Sequence, residues 1–275
     1  AMKLVSATDM KPGMILGRDI YDAQHQLMLS AGQPLTERRI LEIREIGIRQ
    51  AYIFDDEEPL YSEEPISQSL RLNAVDTIRE LFNTIEQNKG DGSGEQYFSN
   101  VKNMVNDMIE EITRVKKAAL CMTSLKVFDD YTYFHSVNVA VISLALGAKM
   151  GLERGDLFEL GLGAMLHDIG KIFIPKEILN KDQKLTPEEF EEIKSHSIRG
   201  YTFLADQWNI PTQANAVVLS HHEKYDGTGY PHNLRGKTIP PYGRIAAIAD
   251  VFDALTSNRP YRKALPAEAA IREIV

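Results

Sequence analysis

The chain has 275 residues, 43% hydrophobic and 25% charged, which is the balance of an ordinary globular protein able to bury a sizeable core in one large domain or two smaller ones. Its 31 Lys and Arg against 39 Asp and Glu leave a net charge of −8, which argues against a general binder of nucleic acid polymers. No apolar run approaches the ~18 residues of a membrane-spanning helix, and the single cysteine, Cys121, excludes a disulfide framework and a thiolate zinc finger.

The opening Ala1-Met2-Lys3-Leu4 lacks a signal peptide's apolar stretch and reads as a tag remnant ahead of Met2, so a cytoplasmic protein off the membrane is expected. Residues 1–60 read as a small α+β domain of unassigned role. Met14-Ile15-Leu16 and Asp19-Ile20-Tyr21 are strand-like, and Lys11-Pro12-Gly13 is turn chemistry. Thr36 caps a helix from Glu37 to about Ile46, Gly47 ends it, and Gln50 to Phe54 returns to strand. The acidic stretch Asp55-Asp56-Glu57-Glu58 before Pro59 marks a boundary.

Residues 61–118 read as connecting helices. One carries Leu70, Val75, Ile78, Leu81, Phe82 and Ile85 three to four apart; the next carries Val101, Met104, Val105, Met108, Ile109 and Ile112. A Gly-rich loop from Lys89 to Gly94 separates them. Such stripes are usually core, and they also offer a face for a homodimer through helices 66–122. From 119 to 275 the chain is mainly α, with helices expected at 133–150, 154–170, 186–205, 212–223, 241–256 and from 266. Trp208, near a helix end, reads as packing, and Cys121 as inert core.

The histidines carry the chemistry. Only His25 precedes residue 135; His135, His167, His196, His221, His222 and His232 crowd the helical part. His167-Asp168 follows an apolar run, where an uncompensated imidazole and carboxylate would cost a great deal of solvation free energy. A divalent cation supplies the compensation. The adjacent pairs His167-Asp168 and His221-His222, with His135, His196 and Asp250, offer only imidazole and carboxylate donors, which suit Fe, Mn, Co or Zn. Five histidines and two aspartates exceed one ion's usual ligand number, so two ions bridged by one carboxylate is the economical arrangement.

Taken in order, Asp130-Tyr-Thr-Tyr-Phe-His135-Ser-Val-Asn138, His167-Asp168-Ile-Gly-Lys171, His196, His221-His222-Glu223, Asp226-Gly-Thr-Gly229-Tyr230-Pro231 and Asp250-Val-Phe-Asp253 on through Arg259-Pro-Tyr-Arg262 resemble the HD phosphohydrolase superfamily, specifically its HD-GYP branch of cyclic di-GMP phosphodiesterases. The likeness covers about residues 125–265. It implies a mainly α fold, an HD-type helical bundle as catalytic domain over 119–275, cut short at its C-terminus because the family's domains extend further. It also implies a metal-dependent phosphodiesterase opening cyclic di-GMP to the linear dinucleotide and onward to GMP, by attack of a metal-activated water on phosphorus.

Carried over by position, the resemblance has His135, His167, Asp168 and Asp250 hold one metal. Asp168 bridges to a second held by His196, His221 and His222, with iron or manganese favoured. Asp168 and Lys171 are the implied catalytic residues. Lys171, Gly229, Tyr230, Pro231, Arg259 and Arg262 are implied in substrate binding, Tyr230 as the candidate contact to a guanine. Where relatives with a third metal carry Glu four residues before the first histidine, this chain has Tyr131, a poor ligand at neutral pH with its pKa of ~10. Two metals are therefore expected. A local excess of Lys224, Arg235, Lys237, Arg244 and Lys263 offsets the acidic whole for a substrate bearing two phosphates. The alternatives are an HD hydrolase of another cyclic dinucleotide, or a catalytically weak cyclic-dinucleotide-binding regulatory module.

Overall fold

The computed structural model describes residues 2–22, 27–54, 65–88, 94–114, 131–181, 183–257 and 264–274. These fall into two units, an N-terminal one ending before residue 64 and a helical one after it.

The N-terminal unit runs β1 (Met2–Ser6), β2 (Ile20–Tyr21), β3 (Leu27–Leu29), α1 (Glu37–Glu45) and β4 (Gln50–Phe54). β1 pairs antiparallel with β4, Met2 opposite Phe54 and Ser6 opposite Gln50, and β2 pairs antiparallel with β3. The Thr36 hydroxyl accepts from the Arg39 amide at 3.3 Å and caps α1, while Gly47, at φ +83, supplies the left-handed residue that ends it. Leu16, Leu35, Ile40, Ile43 and Ile53 form its core. The strand expected at 14–16 is reduced to single bridges from Ile15 to Pro34 and from Leu16 to Ile53, since Pro34 has no N–H with which to extend a ladder. β1 and β3 are not foreseen by the sequence pattern; in β3, Leu27 and Met28 are exposed and show no buried alternation.

The helical unit comprises α2 (Gln68–Asn88), α3 (Glu95–Arg114), α4 (Tyr131–Lys149), α5 (Arg154–Leu166), α6 (Lys176–Leu179), α7 (Pro187–Lys194), α8 (His196–Gln207), α9 (Thr212–Ser220), α10 (Pro241–Thr256) and α11 (Ala267–Ile274). α5 lies at its centre. Leu157 and every residue from Leu160 to Leu166 are buried, and the helix packs against α3, α4 and α9. α10 closes on α4 and α9, and α8 closes on α9 and on a tight 3₁₀ turn, Ile169–Phe173.

α2 and α3 are not free connectors. Val75, Ile78, Leu81 and Phe82 of α2 and Val101, Val105, Met108 and Ile109 of α3 are buried, and both helices pack onto α4. Their apolar faces are spent inside the chain, which removes the ground for expecting a homodimer through them. Trp208 is packing, as expected, stacked on Phe98 with ring centroids 4.7 Å apart.

Two expected helices end early and a third is interrupted. The one foreseen over 154–170 stops at Leu166, the one over 212–223 at Ser220, and the one over 186–205 breaks between Lys194 and His196. At each break stands a histidine.

Candidate metal centre

A helix leaves its last carbonyls without intrahelical donors. His167 follows α5, His196 follows α7 and His221 follows α9, and each turns its ring Nδ1 back to the carbonyl three residues earlier. The distances are 2.7 Å to Ala164, 2.6 Å to Ile193 and 2.9 Å to Val218. A carbonyl only accepts, so Nδ1 carries the hydrogen, the helix end is capped, and Nε2 faces inward.

The inward atoms then confront one another. His196 Nε2 stands 3.2 Å from His221 Nε2, two lone pairs face to face. His167 Nε2 stands 3.3 Å from Asp168 Oδ2, and both His167 Nε2 and Asp168 Oδ1 are buried without a hydrogen-bond donor. Acceptors turned on acceptors in a dry interior repel, and a cation is the group that reverses the sign.

Two sets of donors come together: Asp168, His196, His221 and His222, and beside them His135, His167 and Asp250. Asp168 faces both. Its Oδ1 is 3.5 Å from His196 Nε2, while its Oδ2 is 3.3 Å from His167 Nε2 and 3.9 Å from His135 Nε2. His135 Nε2 is 3.1 Å from Asp250 Oδ1, and Asp250 Oδ2 is 3.8 Å from His222 Nδ1. All seven residues singled out in the sequence as candidate ligands therefore converge.

Electrostatics divide the imidazoles. Burial lowers His196; burial and the neighbouring rings of His222 and His167 lower His221 much further; burial brings His222 down to about 3. At neutral pH these three are uncharged, the form that binds metal. Burial also works against a charged His135, but the carboxylates of Asp250 and Asp253 override it and raise that ring to about 10. Burial opposes ionisation of Asp168, yet the Lys171 ammonium and His167 hold its carboxyl well below the usual range.

Residues 100–275 match the HD domain family, well over half of the chain. The chain belongs to the HD domain family. It is 39% identical over 176 residues to the cyclic di-GMP phosphodiesterase PA4108 of Pseudomonas aeruginosa, an alignment covering 64% of this chain and 42% of that protein. It is 44% identical over 147 residues to a cyclic di-GMP phosphodiesterase of Thermotoga maritima, covering 53% of this chain and 40% of that one. The chain thus spans about two fifths of the length of these curated relatives. Its fold is similar to that of Bd1817, an HDG"Y"P protein from Bdellovibrio bacteriovorus, with a TM-score of 0.61 at 19% identity over 100% of this chain and 93% of that one. Among the described residues of this HD protein, no helix is long and apolar enough to cross a membrane.

Around the HD domain's metal-ligand candidates, Lys171 donates to Asp168 Oδ2 at 2.6 Å from the 3₁₀ turn. That turn lies so close to α8 that a Cβ on Gly170 would stand 1.8 Å from the His196 carbonyl oxygen, which explains the glycine between His167-Asp168 and Lys171. Tyr230 lays its ring on His222, centroids 4.6 Å apart at 31°, and burial raises its phenol above the ordinary value. The loop bearing Gly229-Tyr230-Pro231 is tied down by buried Glu223, whose carboxylate accepts from the amides of His232 at 2.7 Å and Leu234 at 2.9 Å. Arg259, Arg262, Lys263 and Cys121, with Asp129, Asp130 and the Tyr131 side chain, lie outside the described residues. Lys224, Arg235 and Lys237 are exposed.

Sequence reasoning assigned no role to Glu223, Asn138 or Asp253. Asp253 Oδ2 accepts from His135 Nδ1 at 2.7 Å, and its Oδ1 accepts from Asn138 Nδ2 at 2.9 Å. The signal was available: Asn138 follows His135 by three and Asp253 follows Asp250 by three, the spacing that puts polar pairs on one face of a helix.

Proposed function

We propose that the HD domain of this chain is a phosphodiesterase that hydrolyses cyclic di-GMP with two divalent cations, iron or manganese by donor chemistry. His135, His167 and Asp250 would hold one cation and His196, His221 and His222 the other, with Asp168 shared. The observation that carries this is the position of Asp168, one oxygen toward His196 and the other toward His167 and His135. Such cations supply Lewis acidity to water and neutralise charge on a phosphoryl group. The likeness to two proteins named as cyclic di-GMP phosphodiesterases supports the substrate.

The chain's own residues have definite parts. Lys171, part-exposed and 2.6 Å from Asp168, brings an ammonium to within reach of a non-bridging phosphate oxygen beside the shared carboxylate. The three carbonyl-anchored rings hold Nδ1 on the main chain and present Nε2 to the centre. Tyr230, braced on His222, gives a rigid aromatic wall for a guanine, and Glu223 fixes the loop that carries it. Arg259 and Arg262 complete the proposed substrate contacts. A nucleotide second messenger as substrate fits a cytoplasmic protein.

The test is anaerobic reconstitution of the metal-free chain with Mn(II) or Fe(II), followed by a panel of cyclic di-GMP, cyclic GMP-AMP, the linear dinucleotide and a simple aryl phosphodiester. Chelator-sensitive turnover of cyclic di-GMP to the linear dinucleotide, with or without GMP, is expected. Turnover of cyclic GMP-AMP alone moves the substrate. Tight binding of cyclic di-GMP with no turnover by the loaded protein overturns the enzyme reading in favour of a binding module.

A further inference from the structure

The HD match starts at residue 100, yet a side chain ahead of it joins a path of hydrogen bonds that leads to the site. Arg71, on α2 and only 6% exposed, donates through Nη1 to Asn138 Oδ1 at 2.6 Å. Asn138 Nδ2 donates to Asp253 Oδ1, Ser257 Oγ donates to the same oxygen at 3.3 Å, and Asp253 Oδ2 accepts from His135 Nδ1. We infer that Arg71 is a positioning residue for the cation site of His135, His167 and Asp250, acting through Asn138 and Asp253; the inference rests on the two-cation reading above.

The polarity of the chain of bonds is the argument. A primary amide can be turned either way, with oxygen and nitrogen exchanged. A guanidinium only donates and an ionised carboxylate only accepts, so Arg71 at one end and Asp253 at the other leave Asn138 one orientation. Asp253 then has Oδ1 occupied by two donors and Oδ2 left for His135. That holds hydrogen on Nδ1 of His135 and turns Nε2 toward Asp250 and Asp168, the ring orientation in which it can coordinate. A buried guanidinium is costly to desolvate, and here part of its donor capacity goes to a neutral amide two steps from the site. α2 is thus linked to the site by hydrogen bonds as well as by packing.

The test is calorimetric titration of the metal-free chain with Mn(II), comparing wild type, Arg71→Met, Asn138→Ala and their double variant, with Ile78→Ala as a control for loss of α2 packing. Wild type should take up two ions per chain. Arg71→Met should weaken one of them by about tenfold, at the lower end of what partners behind a metal ligand contribute, and leave the other within error. The double variant should be no weaker than Asn138→Ala alone, because both act through one path. Ile78→Ala should lower the melting temperature without that selective loss. If Arg71→Met fails to fold, Arg71→Lys, which keeps the charge and a donor, should show a smaller loss at the same ion. Failure of wild type to bind two ions refutes the two-cation reading itself. Two ions bound by Arg71→Met with wild-type affinities, or additive losses in the double variant, refute the role of Arg71.

Discussion

His167, His196 and His221 on one side and His135 on the other reach the same centre by different means. The first three are held by main-chain carbonyls at helix ends, and no side-chain substitution can remove those partners. His135 is held by Asp253, whose own orientation depends on Asn138 and Ser257. Burial leaves His196 and His221 neutral, while two carboxylates raise His135 to about 10. One part of the site is therefore set by backbone geometry and the other by a tunable network of side chains.

Asp168→Ala should erase the distinction, since its two oxygens face both sets. Bound metal should fall to background for both ions and cyclic di-GMP turnover by at least about a thousandfold, read by elemental analysis and by product chromatography. Retention of one full equivalent of metal would mean the carboxylate is not shared.

Asp253→Asn should sharpen it. Asn138 and Ser257 would keep the new amide's oxygen, so its NH₂ would meet His135 Nδ1 and drive that ring's hydrogen onto Nε2. One of the two ions should bind about 10–100-fold more weakly, visible in an Mn(II) titration, with the carbonyl-anchored set unaffected.

Gly170→Ala attacks the other side. Its Cβ would collide with the His196 carbonyl, pushing the 3₁₀ turn off α8 at a cost of about 1–3 kcal/mol. A lowered thermal midpoint, with the loss of affinity at the His196, His221 and His222 set, is expected; an unchanged midpoint would show that the turn can yield.

The opposed imidazoles also predict how the metal-free chain responds to pH. His196, His221 and His222 sit below the unfolded value of ~6.5, so as pH falls below it the unfolded chain takes up protons the folded one refuses, and stability drops. His135 sits above it, so its contribution is complete below ~6.5 and fades as pH rises through about 10. Melting temperatures in chelator should peak near ~6.5 and fall on both sides; a steady rise from acid to alkali would contradict the sign assigned to His135.

The smallest effect expected is that of Ser257→Ala. Its bond to Asp253 is 3.3 Å long and Asn138 already holds that oxygen, so a loss below about 1 kcal/mol in stability and no selective loss of metal should be measured.

The same contrast explains what the sequence could and could not disclose. The helix periodicities, the Thr36 cap and the ordered His and Asp residues were all readable, because each is a local pattern with a local cause. A second cap stands at Thr186 of α7, whose hydroxyl accepts from the Glu189 amide while the Glu189 carboxylate accepts from the Thr186 amide. The overrun of three helices has a single source: no Gly or Pro stands at residues 167, 196 or 221, and the stop signal is the imidazole itself, folding back on its own helix. Arg71 was out of reach for a different reason. It lies on an amphipathic helix and its partner Asn138 is distant in sequence, so only tertiary packing joins them.

The most direct measurement is anomalous diffraction from crystals of the chain grown anaerobically with Mn(II). Two peaks should appear, one among His135, His167 and Asp250 and one among His196, His221 and His222, both within bonding distance of Asp168. No peak there, or a single ion that leaves either set facing itself, would contradict the account.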